Sequence, residues 1–255
     1  MMSVNDWKQF QWVPLPFKDL QTEEGETRYY IIDENTKFPS MTSILGMLDD
    51  GGVDAWRKRV GEEEAERIVK EAVARGNNLH ELSELYLMNK LERSGVKGPG
   101  SILFNRSRRH LNELGPIVGI EVALYSLQRR YAGRVDCIAF HDKHLCIVDH
   151  KNSRRKIDLS KDYACKKLYA YMLQTVGYAF ALKEMFPHLP MATHGVLIVG
   201  NFDVMSSDKF KFKFTQDLCD DFDFLLKAYY GEADINDARY FKPGLSDFIK
   251  SILVS

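Results

Sequence analysis

Gly133-Arg134-Val135-Asp136 is followed closely by Ile147-Val148-Asp149-His150-Lys151, and the two stretches predict the centre of the fold. Each is largely apolar and ends in charged residues, which predicts neighbouring strands over residues 131–140 and 144–150. The connection near His141-Asp142 is short, so we expect the two strands to pair directly. Paired strands of this length can bring Asp136 and Asp149 to one end of the sheet.

The side chains at this end of the sheet suit metal-assisted hydrolysis. Carboxylate oxygens are the ligands that Mg²⁺ and Mn²⁺ prefer. Lys151 is two residues after Asp149 and shares its face of the strand, where it could orient or deprotonate a water and stabilise developing charge. His150 points the other way, but its backbone carbonyl can still reach the metal. The alternative is an ordinary ladder of Asp and Lys side chains on a surface strand.

The elements around these strands predict an α/β sandwich built on a mixed sheet. Helices are expected at a short segment capped by Ser40, at residues 54–75 and 77–89 with Gly76 interrupting them, and at 102–114, 164–186 and 215–230. Further strands are expected at residues 26–32, 118–127, 196–199 and 210–214, with loops at 94–100 and 152–162.

Length and composition favour one intracellular domain. The 255 residues are 45% apolar, and no stretch approaches the roughly 20 apolar residues that span a bilayer. We expect a strand and helical part over about 1–115, a catalytic part over about 116–230 and an extension over 231–255. The N-terminus resembles neither a signal nor a transit peptide. The four cysteines lack CxxC spacing, which argues against a zinc ribbon or an iron–sulfur cluster.

Charge is unevenly distributed along the chain. The net charge is −1, yet residues 101–167 hold 14 Lys or Arg against 7 Asp or Glu, so that segment is +7 and the remainder is −8. Basic charge around the predicted site is what phosphate contacts require. A solvated charged surface would give the same pattern.

Other candidate residues lie on predicted helices and strands. His80 and Glu84 share a helix face, where an imidazole could bind Mn²⁺ or Mg²⁺, although a lone histidine is more often structural. Gln174 and Tyr178 are also four residues apart, and either they contact the nucleic acid or they belong to an amphipathic helix. Glu121 is either an acid just outside the metal ligands or a satisfied carboxylate at the sheet edge.

The order of these motifs resembles the RecB-like branch of the PD-(D/E)XK nucleases. The motifs are R-G-x-x-x-H-x-x-x-E from Arg75, G-R-V-D from Gly133, I-V-D-x-K-x-S from Ile147 and Q-x-x-x-Y from Gln174. The resemblance covers residues 25–230 and is strongest to phage exonucleases and the mitochondrial genome maintenance exonuclease. It implies a restriction-endonuclease-like core, a central mixed β-sheet flanked by helices with an N-terminal helical elaboration.

The resemblance also implies roles for individual residues. His80, Asp136, Asp149 and the His150 carbonyl would bind Mg²⁺ or Mn²⁺, and Lys151 would be the catalytic lysine. Gln174 and Tyr178 would shape the DNA-binding side of the site. Asn152 stands where threonine is common, which leaves Ser153 to supply a hydroxyl. Without a transit peptide, the cytoplasm of a bacterium or of a phage-infected host fits better than a mitochondrion.

These observations together lead to the hypothesis of a metal-dependent DNA exonuclease that acts on single-stranded ends. Its candidate backbone contacts are Arg154, Arg155, Lys156, Lys166 and Lys167. One alternative is a structure-specific or sequence-specific endonuclease, which would cut circular single strands. Another is a catalytically silent nucleic-acid-binding protein, which would be free to lose one of Asp136, Asp149 and Lys151. A protein partner in replication or recombination is left open.

Overall fold

A small antiparallel sheet opens this computed structural model, which describes residues 7–49 and 51–254. Its strands are β1 (Gln21–Glu23), β2 (Tyr29–Asp33) and β3 (Thr36–Pro39). Helices α1 (Met41–Leu45), α2 (Gly52–Val60), α3 (Glu62–Leu87) and α4 (Ser101–Leu111) follow. Residues 1–6, which carry most of the prediction about targeting peptides, lie outside the described residues.

The second part of the chain builds the central sheet and the helices on one of its faces. In chain order it contains β4 (Ile117–Ser126), β5 (Tyr131–His141), β6 (His144–Ser153), α5 (Asp162–Met185), β7 (His194–Asn201), β8 (Ser206–Lys213), α6 (Gln216–Tyr229), α7 (Leu245–Ile252) and β9 (Leu253–Val254). The six strands pair in sequence order, and only the pair β6 and β7 is parallel among the described residues. The prediction of an α/β fold with a mixed central sheet flanked by helices is therefore confirmed.

Both faces of this sheet are buried. Ile147 and Leu197 pack into the core beneath α5, whereas Val148 and Val196 pack into the core beneath α3 and α4. Successive side chains of a strand point to opposite faces, so a continuous apolar run is what a strand covered on both sides requires. The helices thus hold the charged ends of β5 and β6 in a rigid frame.

The long N-terminal helix differs from its prediction at two glycines. The prediction that Gly76 interrupts it is wrong, because α3 continues through Gly76 to Leu87. The break lies at Gly61, whose φ of +88° and ψ of 146° are incompatible with a helix and favour glycine. Because α3 is continuous, His80 projects from the middle of a helix rather than from near the start of one.

Several smaller features were also tested by the structure. Ser40 does cap α1, since its Oγ accepts a hydrogen bond from the Ser43 backbone N–H at 3.0 Å. The loop predicted from residue 152 begins later, because Lys151, Asn152 and Ser153 continue β6 and pair with β7. In the extension after residue 230, α7 packs on the core beneath α5 and β9 pairs with β8. Within the described chain, no helix is long and apolar enough to cross a membrane.

Candidate active site

Asp136 lies where β5 separates from β6. The pairing of these strands stops at Cys137 and Val148, while β5 stays paired with β4 as far as Tyr131. The Asp136 carboxylate accepts a hydrogen bond from the His150 backbone N–H at 2.7 Å. It therefore takes over a donor of β6 that no longer pairs with β5, and this bond fixes its orientation.

Glu121 faces Asp136 from the neighbouring strand. The register that pairs Ile120 with Cys137 and Val122 with Val135 places Glu121 opposite Asp136. Glu121 has a φ of +50°, a left-handed conformation that costs a residue with a side chain about 1–3 kcal/mol. Such strain in the middle of a strand is tolerated where the surrounding structure enforces it, and here it coincides with the meeting of two carboxylates.

His80 approaches the same point from α3. Its Nδ1 lies 3.5 Å from Oδ2 of Asp136. The rings of His80 and His150 are in edge contact, with centroids 5.9 Å apart. The His150 side chain is buried, and its Nδ1 lies 3.7 Å from Oδ2 of Asp136, so the side chain reaches this point as well as the backbone. A role for the His150 carbonyl as a metal ligand stays a prediction.

Three ligand atoms converge at this point. One atom each from His80, Glu121 and Asp136 lie within 4.8 Å of one another, close enough to share one metal ion. One imidazole and two carboxylates form a donor set that Mn²⁺ accepts readily and Mg²⁺ accepts through its oxygens. The residues present therefore fit a divalent cation.

Asp149 lies beside Lys151. It is 1% exposed, and its carboxylate contacts Nζ of Lys151 at 2.8 and 3.0 Å rather than joining the three converging ligands. Its Oδ1 accepts the hydrogen bond from Nζ, and its Oδ2 is in ion-pair contact with the same Nζ. A role for Asp149 as a metal ligand stays a prediction.

Lys151 is held by a chain of buried polar groups. Its Nζ donates to Oε1 of Gln174 at 3.0 Å, and Nε2 of Gln174 donates to the hydroxyl of Tyr178 at 3.1 Å. Gln174 and Tyr178 are buried in α5, so neither offers a surface to DNA. Their contact with the site is through Lys151, which Gln174 orients.

The electrostatics of the acids favour a cation between them. Burial alone would raise the pKa of Asp136, but His80, the hydrogen bond from His150 and the charge of Lys151 hold it well below its usual range. Burial, reinforced by Asp136 and Glu84, raises the pKa of Glu121 to about 8. Glu121 therefore keeps a proton at neutral pH in the absence of an ion, and a cation would take that proton's place.

The nitrogen groups have complementary states. Burial lowers the pKa of His80, which favours the neutral imidazole that binds metals. Burial opposes the charge of Lys151, but Asp149 and Asp136 outweigh it and raise its pKa. Burial raises the pKa of Asp149 to about 6 against the attraction of Lys151. At neutral pH Lys151 is therefore an ammonium, paired with Asp149.

The remaining candidates lie along the end of β6 and the start of α5. Ser153 is buried, and its Oγ accepts a hydrogen bond from Nζ of Lys167 at 3.0 Å. The exposed side chains that follow are Arg154, Arg155 and Lys156. Lys166 lies apart from them, paired with Asp162 at 3.3 Å and packed near Tyr240.

Glu84 and Glu121 show what the sequence could and could not reveal. Glu84, one turn after His80, lies close enough to Glu121 to raise its pKa. Glu121 was predicted either just outside the metal ligands or at the sheet edge, and the structure brings one of its oxygens within 4.8 Å of ligand atoms of His80 and Asp136. The available signal was the pairing of the first two strands of the meander, because their register places Glu121 opposite Asp136.

Comparison with known proteins adds little at this distance. No protein-family model and no curated protein matches the chain. Among solved structures, the chain is similar to SSO0001, with 14% identity over 80% of both chains and a TM-score of 0.40. It is also similar to a "Putative exonuclease" from Eubacterium rectale, with 9% identity over 67% of this chain and 73% of that one and a TM-score of 0.38. Likenesses this weak do not indicate an activity for this chain.

Proposed function

We propose that this protein is a metal-dependent nuclease, and more narrowly a DNA exonuclease that removes nucleotides from single-stranded ends. The observation that carries the proposal is the convergence of one ligand atom each from His80, Glu121 and Asp136. Lys151 follows His150, whose backbone N–H bonds Asp136, on the same strand. Phosphodiester hydrolysis requires charge stabilisation and an oriented water, and this arrangement offers groups for both.

The residues proposed to hold Mg²⁺ or Mn²⁺ are His80, Glu121 and Asp136, with the His150 carbonyl and Asp149 as further ligands. A divalent cation bound there would polarise the phosphate and lower the pKa of a bound water. The raised pKa of Glu121, to about 8, supports this role, because two carboxylates this close need a compensating charge.

The other residues would position the reacting groups. Lys151 stays charged because Asp149 and Asp136 raise its pKa, so it would donate a hydrogen bond to a phosphate oxygen or to the attacking water rather than act as a base. Gln174 would keep Nζ aimed at the site, and Tyr178 would in turn hold the Gln174 amide. Asp149 would balance the ammonium in a buried setting.

Digestion of end-labelled linear and circular single-stranded DNA, with Mg²⁺, Mn²⁺ or EDTA, tests the proposal. We expect metal-dependent loss of the linear substrate only, and a fall of about 10³-fold or more in Lys151→Ala. Lys90→Ala, an exposed lysine after α3, is the matched control and should cleave normally. Cleavage of circles would indicate an endonuclease. Binding without cleavage by the wild type would indicate a catalytically silent scaffold.

A further inference from the structure

We propose that a groove beside the active site binds an unpaired stretch of the nucleic-acid strand, with Trp56 and Tyr163 stacking on its bases. The groove has a volume of about 600 Å³ and lies between α2, the end of β6 and the start of α5. This inference rests on the nuclease function proposed above and names the surface that would hold the strand next to the cleaved bond.

The charge of this groove is of one sign. Five cationic side chains line it, and no Asp or Glu does so among the described residues. The cationic residues are Arg59, Arg154, Arg155, Lys156 and Lys167. Asp203 lies 3.4 Å from Arg154, and Asp208 lies 3.5 Å from Lys156. Neither acid lines the groove. In a protein with a net charge of −1, such a concentration is complementary to a polyanion.

Aromatic side chains stand among these cations. Trp56 is half-buried on α2, and Tyr163 is 58% exposed in the first turn of α5. A tyrosine that exposed gains little from packing, whereas stacking of one base on an aromatic ring contributes about 1–3 kcal/mol. Cations interleaved with aromatic rings suit a single strand, because its bases are free to stack and its phosphates remain accessible.

The groove is connected to the active site through Lys167. Its Nζ donates to Oγ of Ser153, and it lies over the same Tyr171 ring as Lys151, at 6.0 and 4.9 Å from the centroid. Ser153 follows Lys151 by two residues on β6, so it lies about 6.6 Å further along the strand. Ser153 Oγ also donates to the Arg155 carbonyl at 2.8 Å, which holds the basic turn against the groove. A nucleic-acid strand that extends from Lys151 along β6 would enter the groove directly.

A duplex is a poorer occupant than a single strand. Paired bases are already stacked on their neighbours and are not free to meet Trp56 or Tyr163. A duplex could still contact the cations, so electrostatic attraction alone would not distinguish the two. The aromatic pair therefore predicts a preference for unpaired strands that basic residues by themselves would not give.

Fluorescence anisotropy of a labelled oligonucleotide of about 12 nucleotides tests this, with the full chain in EDTA to prevent cleavage. We expect Trp56→Ala and Tyr163→Ala each to weaken single-strand binding about tenfold, with the salt slope unchanged. Trp56→Phe should retain most of the affinity. Tyr230→Ala, in a separate cavity where acids accompany Arg129 and Arg130, should bind like the wild type. Because Tyr163 is largely exposed, its variant keeps the test independent of folding.

Other outcomes separate this inference from the proposed function. The proposed role of the groove would be contradicted if both Trp56→Ala and Tyr163→Ala bound single strands with wild-type affinity. It would also be contradicted if these variants lost affinity equally for single strands and for duplex. A protein that binds neither form of DNA would overturn both proposals. A protein that binds single strands through Tyr163 but cleaves none would retain the groove and lose the nuclease.

Discussion

Glu121 and Asp136 face each other across β4 and β5, and two carboxylates that close repel unless a proton or a cation lies between them. The ion-free protein resolves the conflict by leaving Asp136 ionised and raising the pKa of Glu121 to about 8. The strained backbone at Glu121 is a further cost. At the scale of single residues, the site thus carries an electrostatic repulsion that a metal ion would relieve.

The raised pKa of Glu121 predicts a pH-dependent stability. Between pH 4.5 and about 8, Glu121 holds a proton in the folded protein that the unfolded chain has released. The bound proton stabilises the folded state, and this stabilisation is lost as pH rises through about 8. We expect Glu121→Gln to melt a few degrees above the wild type at pH 8.5 in EDTA and equally at pH 5. Calorimetric melts at both pH values measure this.

Mn²⁺ should reverse the order of the melting temperatures of the wild type and Glu121→Gln. Mn²⁺ binds the folded wild type and raises its melting temperature, whereas Glu121→Gln has lost a ligand and should respond weakly. Glu26→Gln, an exposed glutamate, is the control and should follow the wild type throughout. Equal Mn²⁺ responses in the wild type and Glu121→Gln would remove Glu121 from the metal site.

Gln174 is predicted to act through Lys151 rather than on DNA. Gln174→Met keeps the side-chain volume but removes the acceptor for Nζ of Lys151, so kcat should fall about 10- to 100-fold with little change in KM or Mn²⁺ affinity. Thr175→Val, the neighbouring buried substitution on α5, loses a hydroxyl that bonds only the Met172 carbonyl and should keep its kcat. A rise in KM with unchanged kcat in Gln174→Met would point to direct DNA contact instead.

At the scale of the site, the residues that the sequence revealed are those that local patterns mark. Asp136, Asp149 and Lys151 are charged residues within largely apolar strands, and His80 stands out as a histidine within a helix motif. Glu121 joins them only through a long-range strand register, and Trp56 joins the groove only through the packing of α2 beside β6. Spacing alone could not show that both oxygens of Asp149 contact Nζ of Lys151, and a role for Asp149 as a metal ligand stays a prediction.

At the scale of secondary structure, the glycines of α2 and α3 are where sequence and structure differ most. Gly61 and Gly76 look alike in the sequence, and only the backbone angles distinguish the break from the continuous helix. The meander of β4, β5 and β6 was predicted within three residues because long strands with strong apolar patterns leave a clear signal. β1, β3 and β9 span two to four residues, too few for any periodicity to appear.

Alanine substitution of the two glycines should have opposite effects. A Cβ at Gly76 would meet only Asn152 at ordinary van der Waals distance, so Gly76→Ala should stabilise the fold by about 0.5–1 kcal/mol. Gly61→Ala should destabilise it by about 1 kcal/mol, because its φ of +88° strains any side chain. Urea denaturation of both variants measures this, and a loss of stability in Gly76→Ala would contradict the continuous helix.

Gly177 provides a third case within α5. A Cβ there would approach the Phe222 ring to 2.7 Å, and Met41 lies against the same point. Gly177 therefore lets α1 and α6 pack closely on α5, the helix that carries Gln174. The position of the Lys151 hydrogen bond thus depends on helix packing, which no motif in the sequence describes.

At the scale of the whole molecule, charge is unevenly distributed along the chain although the net charge is near zero. The exposed turn after β6 and the start of α5 carry the basic side chains of the groove, while the first turn of α3 begins with Glu62, Glu63 and Glu64. The sequence showed this uneven distribution as a +7 segment within a chain of −1. It could not show that Arg59, far outside that segment, faces the same groove.

Single-strand binding should depend on salt in proportion to the phosphates that the groove contacts. If its five cations each neutralise one phosphate, the logarithm of the binding constant should fall with the logarithm of salt with a slope of about −3.5. Arg155→Ala should reduce that slope by about 0.7, whereas Lys90→Ala should leave it unchanged. Affinity that does not vary with salt would exclude the groove as the contact surface.

The proposed metal centre is tested most directly by an anomalous difference map from crystals of the wild-type protein soaked in Mn²⁺. We expect a peak within coordination distance of Asp136, Glu121 and His80. The peak should be lost in Asp136→Asn. A well-occupied peak elsewhere, or no peak under conditions in which the protein cleaves DNA, would contradict the proposal that these three residues form the metal centre.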